Sequence, residues 1–244
     1  MLASMRAFFP SVGVPTDGYR VVELDGVLAT VTPAVPDSSL PNSVVYEGED
    51  RLVAALDELA RVYDDAGVRA WTVWTPSFHE RARGALEQAG HVLDASPEAM
   101  LLDLGQVEPP REDDPLPDPD PSSTDLGAVN DSAYGVANRF TLMMGDAPLD
   151  PSAAYIARVD GRPAATVVTN DHDGDCSVWW VAVTPEARGR GLAAGLMRCA
   201  LHAGLERGCE VSTLQATKLG RPVYERLGYR GLGPIEMWER RRAG

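Results

Sequence analysis

Positive charge is scarce in this chain. Of 244 residues, 22 are basic and 36 acidic, a formal net charge of −14, and Lys218 is the single lysine. Nucleic-acid binding rewards clustered Lys and Arg, so this balance argues against DNA or RNA as the main partner. No apolar run approaches the roughly 20 residues that a membrane-spanning helix needs, so no membrane partner is expected. Met1 to Pro10 lacks the charged start, long apolar stretch and small-residue cleavage site of a signal peptide, and the expectation is a cytoplasmic protein. The cysteines, Cys176, Cys199 and Cys209, are odd in number and have no metal-ligand spacing; the histidines, His79, His91, His172 and His202, are scattered. Neither a disulfide framework nor a metal site is expected.

Hydrophobic residues are plentiful at 44%, enough for packed cores. Charge is uneven along the chain. Residues 1–110 hold 17 acidic and 7 basic side chains, residues 111–125 hold 6 and 1, and residues 126–244 hold 13 and 14. The sharpest shift in composition is the Pro/Asp-rich run from Pro109 to Pro121. Proline fixes φ and lacks a donor, so this run suits neither helix nor central strand and reads as an extended, solvated linker. The expected domains are therefore 1–107, a linker at 108–123, and 124–244.

The two sides share a pattern. Tyr19–Gly26 followed by Ala29–Val31 reads as a hairpin with an Asp-Gly turn, and Tyr155–Gly161 followed by Ala165–Val167 reads the same way. Gly26 and Gly161, Thr30 and Thr166, Gly90 and Gly228, and Met100 and Met237 lie 135–138 residues apart, which suggests an internal duplication. Apolar residues at helical spacing run from Leu52 to Tyr63, with a stop at Gly67, and from Leu192 to Leu205, with a stop at Gly208. Strands Trp71–Thr75 and Val211–Gln215 follow, then a second helix and a final strand, Ala99–Leu104 or Ile235–Glu239. The second half adds a helical segment, Leu126–Tyr134, and a loop reaching Asp150. The expected class is α/β (α+β), each half a mixed, mostly antiparallel sheet flanked by helices.

Chemistry concentrates between Val178 and Ala193. An apolar strand, Val178–Val183, runs through a Pro-containing turn into Arg188-Gly189-Arg190-Gly191 and then an amphipathic helix. The first amides of a helix lack internal partners and, with the macrodipole, attract anions. Gly189 and Gly191 let a phosphate approach the backbone, and Arg188 and Arg190 add positive charge. A dinucleotide fingerprint needs its first glycine directly after the strand and an acidic residue ending the next one. Here five residues separate Val183 from Gly189, and Glu210 begins the next strand. A P-loop needs Gly-Lys-Ser/Thr, which is absent.

Arg188-x-x-Gly191-x-Ala193 resembles the signature of the GNAT (Gcn5-related N-acetyltransferase) family, Arg/Gln-x-x-Gly-x-Gly/Ala at a helix start. The preceding Val181-Ala182-Val183-Thr184-Pro185 and the later Pro222-Val223-Tyr224-Glu225-Arg226-Leu227-Gly228-Tyr229 also look like that family's blocks. The likeness covers residues 125–244 well and 1–105 only through the repeat. It implies two tandem acyl-CoA N-acyltransferase-like domains, with acetyl-CoA as co-substrate. The motif amides, Arg188, Gly189, Arg190, Gly191, Leu192 and Ala193, would bind its pyrophosphate. Val181, Ala182 and Val183 would border its pantetheine, through the backbone of Val181 and Val183, and Tyr224 would protonate the leaving thiolate. A small-molecule or peptide amine would attack the thioester directly.

Alternatives remain beside this reading. Tyr224 has packing neighbours in Val223, Leu227 and Tyr229. Of Trp179 and Trp180, one is expected in the core and one toward the acceptor. No carboxylate lies on Val178–Val183 to serve as base; Asp173 and Asp175 precede it in what reads first as a hairpin turn. The first half has Leu86 where the second has Tyr224, and Tyr46-Glu47-Gly48-Glu49-Asp50-Arg51 in place of the motif. It is expected to be a degenerate copy whose Glu47, Glu49 and Asp50 form an acidic wall favouring a cationic amine. A non-catalytic acyl-CoA sensor, or transfer of a longer acyl group or to an oxygen acceptor, stays open.

Overall fold

A computed structural model describes residues 1–11, 16–144 and 153–242. Contacts divide the chain into two units, one of Leu2–Glu98 with Gly233–Gly244, the other of Met1 with Ala99–Leu232.

The first unit begins with helix α1 (Leu2–Phe8), strands β1 (Arg20–Leu24), β2 (Val27–Val31) and β3 (Ser43–Tyr46), and helix α2 (Glu49–Asp65). It continues through β4 (Ala70–Pro76), α3 (Glu80–Gln88) and β5 (Val92–Ala95). Its sheet runs β1-β2-β3-β4. Only β3 and β4 pair in parallel; the other pairs are antiparallel. Helix α2 buries Leu52, Ala55, Leu56, Leu59 and Tyr63 on one face, the 3.6-residue stripe expected from the sequence. Its end is set by Gly67 at φ +69, after which the Val68 amide reaches back to the Tyr63 carbonyl.

The second unit takes in β6 (Glu98–Asp103), α4 (Ser123–Tyr134), α5 (Arg139–Met144), β7 (Ala153–Val159), β8 (Arg162–His172) and β9 (Asp175–Val183). Then come α6 (Leu192–Glu206), β10 (Val211–Ala216) and α7 (Arg221–Arg226). The sheet order is β6-β10-β9-β8-β7, with β7–β8 and β8–β9 antiparallel and β9–β10 parallel. Asp160 and Gly161 both have positive φ, as do Asp173 and Gly174, so both hairpins turn as their Asp-Gly sequences require. Helix α6 buries Leu196, Met197, Ala200 and Leu201 against β8 and β9, each large side chain contributing about 1.5–3 kcal/mol. Gly127 brings α4 so close to α5 that a Cβ there would lie 2.6 Å from the Thr141 Cα.

Element types follow the sequence, but three expectations change. The final strands do not stay with their own halves. Met100, Leu102 and Leu104 sit in the second unit's core, whereas β11 (Arg230–Arg241) carries Trp238 into the first unit's core and pairs there with β4 and β5. The division by contacts thus falls near residues 98 and 232, not at 107 and 124. The physical reason is that the two strands are alike in pattern, so local sequence leaves their sheet partners undetermined.

The Pro/Asp run is not a free linker: much of it is exposed, but it is docked at Asp114, Pro115 and Asp118. It is a strap bound to the second unit: Asp114 pairs with Arg198, both largely buried, and Asp118 pairs with Arg158 at 2.6 Å. Pro115 lies over Gly195, where a Cβ would meet its Cδ at 2.4 Å. Two short helices, α1 and α5, were not expected. The loop expected to reach Asp150 falls partly on residues 145–152, outside the described residues.

Candidate active site

Strand β9 is irregular where the chemistry was expected. Its register with β8 pairs Trp179 with Val168 but Ala182 with Thr166, so Trp180 and Val181 face the single residue Val167. This is a β-bulge. Trp180 adopts φ +48, a left-handed conformation that costs a bulky L-residue about 1–3 kcal/mol. Of the two adjacent tryptophans, Trp179 is the buried one and Trp180 is half-buried. On the other edge, the parallel register of β9 with β10 consists of Val211 opposite Asp175. Among the described residues, Val178–Val183 has no register partner on β10, so the strands diverge toward the end of β9.

The chain leaving β9 makes one 3₁₀ turn, Pro185–Ala187, and enters α6 through Gly189 at φ +78 and Gly191 at φ +76. Glycine is needed at both because L side chains rarely adopt this region. No atom lies within 4 Å of the Cβ that either would carry, so the backbone here faces open space. Gly191 is the N-cap and offers no side chain to α6. Among the described residues, the six amides from Gly189 to Ala194 donate no hydrogen bond, the first inward amide being Gly195 to the Gly191 carbonyl. Six open amides at the start of a 15-residue helix fit an anionic ligand such as a pyrophosphate.

The two arginines divide their work. Arg188 donates to the Ala133 carbonyl at 3.0 Å and the Val183 carbonyl at 3.4 Å, bracing the loop against α4 and β9. Arg190 is exposed and has no ion pair among the described residues, so its charge is available to a ligand. Val181, Val183 and Leu192 turn partly buried side chains onto the core that also holds Tyr224, while Ala182 is buried. Of the sequence-predicted residues, Val181, Val183, Leu192 and Tyr224 thus share one core cluster of the second unit.

Tyr224 lies on α7 with 8% of its surface exposed. Its ring packs on Gly220, where a Cβ would sit 3.0 Å from Cε2, and edge-on to Tyr229 with centroids 6.0 Å apart. Burial, assisted by nearby Tyr134, pushes its pKa well above the ordinary tyrosine value, so the hydroxyl keeps its proton through neutral pH.

The candidate bases fare differently. Asp173 belongs to the β8–β9 turn, and Asp175 begins β9, accepting from the Thr213 hydroxyl at 2.6 Å. Both stand at the opposite end of β9 from the bulge and motif, so the geometry does not favour either as base. The first unit's acids are also occupied. Glu47 pairs with Arg51 and Arg6, Asp50 with Arg81, and Glu49 accepts from the Ala82 amide at 2.8 Å. An acidic wall is therefore largely compensated within its own unit.

Sequence reasoning missed the bulge, the Arg188 brace and the residues behind them, Asn130 and Thr166. The lone signal was a sequence offset pairing Thr166 with Thr30, which says nothing of hydrogen bonding.

Residues 125–229 match the model of the Acetyltransferase (GNAT) family. No curated protein matches the chain. Among solved structures, a GCN5-related N-acetyltransferase from Kribbella flavida is similar at 17% identity and TM-score 0.69, covering 99% of this chain and 94% of that one. A GCN5-related N-acetyltransferase from Sphaerobacter thermophilus is similar at 16% identity and TM-score 0.57, covering 93% and 84%. A tandem GNAT protein from the clavulanic acid biosynthesis pathway is similar at 13% identity and TM-score 0.58, covering 94% and 85%. At such identities the structures speak to the fold alone. The family match over residues 125–229 supports an acyltransferase, and these neighbours share its mixed α/β, GNAT-like fold with a sheet flanked by helices.

Proposed function

We propose that this chain is an N-acetyltransferase that moves an acetyl group from acetyl-CoA to a primary amine of a small molecule or peptide by direct attack. The observation that carries this is the pairing of a diverging β9–β10 edge with six unengaged amides at the α6 N-terminus. The co-substrate supplies an acyl group activated as a thioester. Gly189 to Ala193 would hold its pyrophosphate, with Arg190 adding charge and Arg188 fixing the loop. The β9 edge at Val181, Ala182 and Val183 would hold the pantetheine, and a β9 amide would face the acyl oxygen as charge develops there. Holding the amine against the carbonyl supplies much of the rate. As the C–N bond forms and the C–S bond breaks, Tyr224 would give its proton to the departing sulfur, and the proton shed by the attacking nitrogen would pass through solvent to restore the tyrosine. Its raised pKa suits this where the thiolate is desolvated as well.

The equal order of elements, hairpin, strand, helix, strand, helix, in residues 20–88 and 153–226 supports a tandem origin. So does the same helix stop in each: Gly90 and His91 reach back to Glu87 and Leu86 as Gly228 and Tyr229 reach to Glu225 and Tyr224. The first copy, lacking the motif and the tyrosine, would have lost the cofactor site. We place the reaction in the cytoplasm, where three free cysteines stay reduced.

The test is thiol release from acetyl-CoA across an amine panel, with propionyl- and succinyl-CoA as competing donors. Turnover with an amine is expected; absence of both turnover and coenzyme A binding would sink the proposal. The stretch Val178–Val183 of β9 carries no carboxylate, which favours a second reading, a non-catalytic acyl-CoA sensor. Ligand protection without turnover, unchanged in Tyr224→Phe, would select it.

A further inference from the structure

The bulge in β9 holds Trp180 in a strained conformation, so neighbouring groups must over-determine it. A chain of three hydrogen bonds does so. The Thr166 hydroxyl on β8 donates to the Trp180 carbonyl at 2.9 Å. The Thr166 Oγ1 in turn accepts from Asn130 Nδ2 on α4 at 3.1 Å, and Asn130 Nδ2 also donates to the Leu126 carbonyl at 2.9 Å. Asn130 and Thr166 are both fully buried. The protons therefore run one way, from amide to hydroxyl to carbonyl, and the carbonyl is pinned toward β8.

A peptide plane carries its N–H opposite its C=O. With the Trp180 carbonyl held by the Thr166 hydroxyl, the Val181 N–H of the same plane points the opposite way, away from that bond. Helix α4 is anchored a second time nearby, because Ala133, one turn beyond Asn130, accepts from Arg188 of the anion loop. One helix thus braces both the bulge and the loop. The Asn130 Oδ1 is buried and has no hydrogen-bond partner among the described residues. Its amide is kept in place by its two donor contacts, to the Leu126 carbonyl and the Thr166 hydroxyl.

We infer, resting on the acyl-transfer function proposed above, that Asn130 and Thr166 are positioning residues. They act through Trp180 to aim the Val181 amide at the acyl oxygen, without touching the substrate themselves.

The test compares Thr166→Val, which keeps shape and loses the hydroxyl, with Thr166→Ser, which keeps the hydroxyl. In Thr166→Val, kcat is expected to fall roughly 10- to 100-fold, the scale for a misplaced transition-state donor. The KM for acetyl-CoA is expected to change less than about threefold, because the lost interaction is made in the transition state. Thr166→Ser should recover most of kcat. Should Thr166→Val fail to fold, Asn130→Ala, which leaves the Thr166 hydroxyl free to rotate, should lower kcat by a smaller factor with the same KM behaviour.

A readout independent of turnover is the crystal structure of the ligand-free variant, in which Trp180 should leave positive φ or Val181 should shift register against β8. An unchanged bulge with unchanged kcat, or equal losses in the Ser and Val variants, would overturn the inference. Failure of the acyl-transfer proposal shows instead as a wild-type chain that binds no coenzyme A by calorimetry, whatever the variants do to the bulge.

Discussion

The two strand-to-helix junctions, β3 into α2 and β9 into α6, answer the same electrostatic problem in opposite ways. A helix start presents unpaired amides and partial positive charge. In the first unit the chain supplies its own anions. Glu49 and Asp50 occupy the first turn of α2, and Gly48 is extended at φ −168. The end of β3 is filled from within by Tyr46, whose hydroxyl lies 2.9 Å from His79 Nδ1. In the second unit the first turn of α6 has no acid, its N-cap is a left-handed glycine, and the approach is open. One junction is complete as folded; the other lacks a negative partner. The difference teaches that a shared element order does not make a shared site, because a few charges and one φ angle decide whether a helix start can bind.

The strongest way to break this comparison is to make α6 resemble α2. The double variant Arg190→Glu, Ala193→Asp places two carboxylates against any pyrophosphate and removes one cation. At about 1–4 kcal/mol per close charge pair, coenzyme A affinity by calorimetry should fall at least roughly 100-fold. Affinity retained within about tenfold would remove the amide cradle from the binding site.

Next in size is the position where the halves carry Tyr224 and Leu86. Tyr224→Phe removes one hydroxyl and should lower kcat about 100-fold while coenzyme A affinity holds. A loss seen only in KM would make Tyr224 a binding residue. Both aromatic positions after the helix stops can be compared as well. Tyr229 bonds the Ser212 hydroxyl at 2.7 Å, whereas neither ring nitrogen of buried His91 has a hydrogen-bond partner among the described residues.

Burial first, and then the nearby Arg240, push the His91 pKa down to about 4. Folded His91 stays neutral where the unfolded residue, near 6.5, takes up a proton, so stability falls as pH drops from about 6.5 to 4. The loss is on the order of 3 kcal/mol. Denaturant unfolding of the full chain at pH 7 and 4 should show a shallower pH dependence in His91→Phe. An identical dependence in both proteins would contradict the assignment.

The smallest effect is expected from Glu49→Gln. It weakens the favourable charge at the α2 start and the bond to the Ala82 amide, costing about 0.3–1 kcal/mol of stability. It should create no coenzyme A binding, since the junction remains filled by Tyr46 and His79.

Much of the fold was legible because local rules set it. The stripe Leu52–Tyr63, the stops at Gly67 and Gly208 and the turns at Asp160-Gly161 and Asp173-Gly174 each depend on a few adjacent residues. So did the open helix start at Arg188–Ala193, whose glycines and missing acids are visible in the letters. Other features were not legible. Thr166 reaches Trp180 across 14 residues and Asn130 across 36, and Asp114 reaches Arg198 across 84. The Pro/Asp run looked solvated because its charges have no local partners, but the Arg198 guanidinium holds Asp114 below the usual carboxylate range from a distant helix.

By itself, then, the sequence determined the main helices and strands, where α2 and α6 stop, and that the start of α6 carries glycines and no acid. These depend on backbone preference and side-chain period, which act over a few residues. Only the tertiary structure decided that Met100, Leu102 and Leu104 serve the second core while Trp238 serves the first. It alone decided that the proline strap docks and that β9 carries a bulge pinned by Thr166. Those outcomes depend on which distant surface completes a sheet edge, an ion pair or a hydrogen bond, and similar local sequences fit more than one such surface.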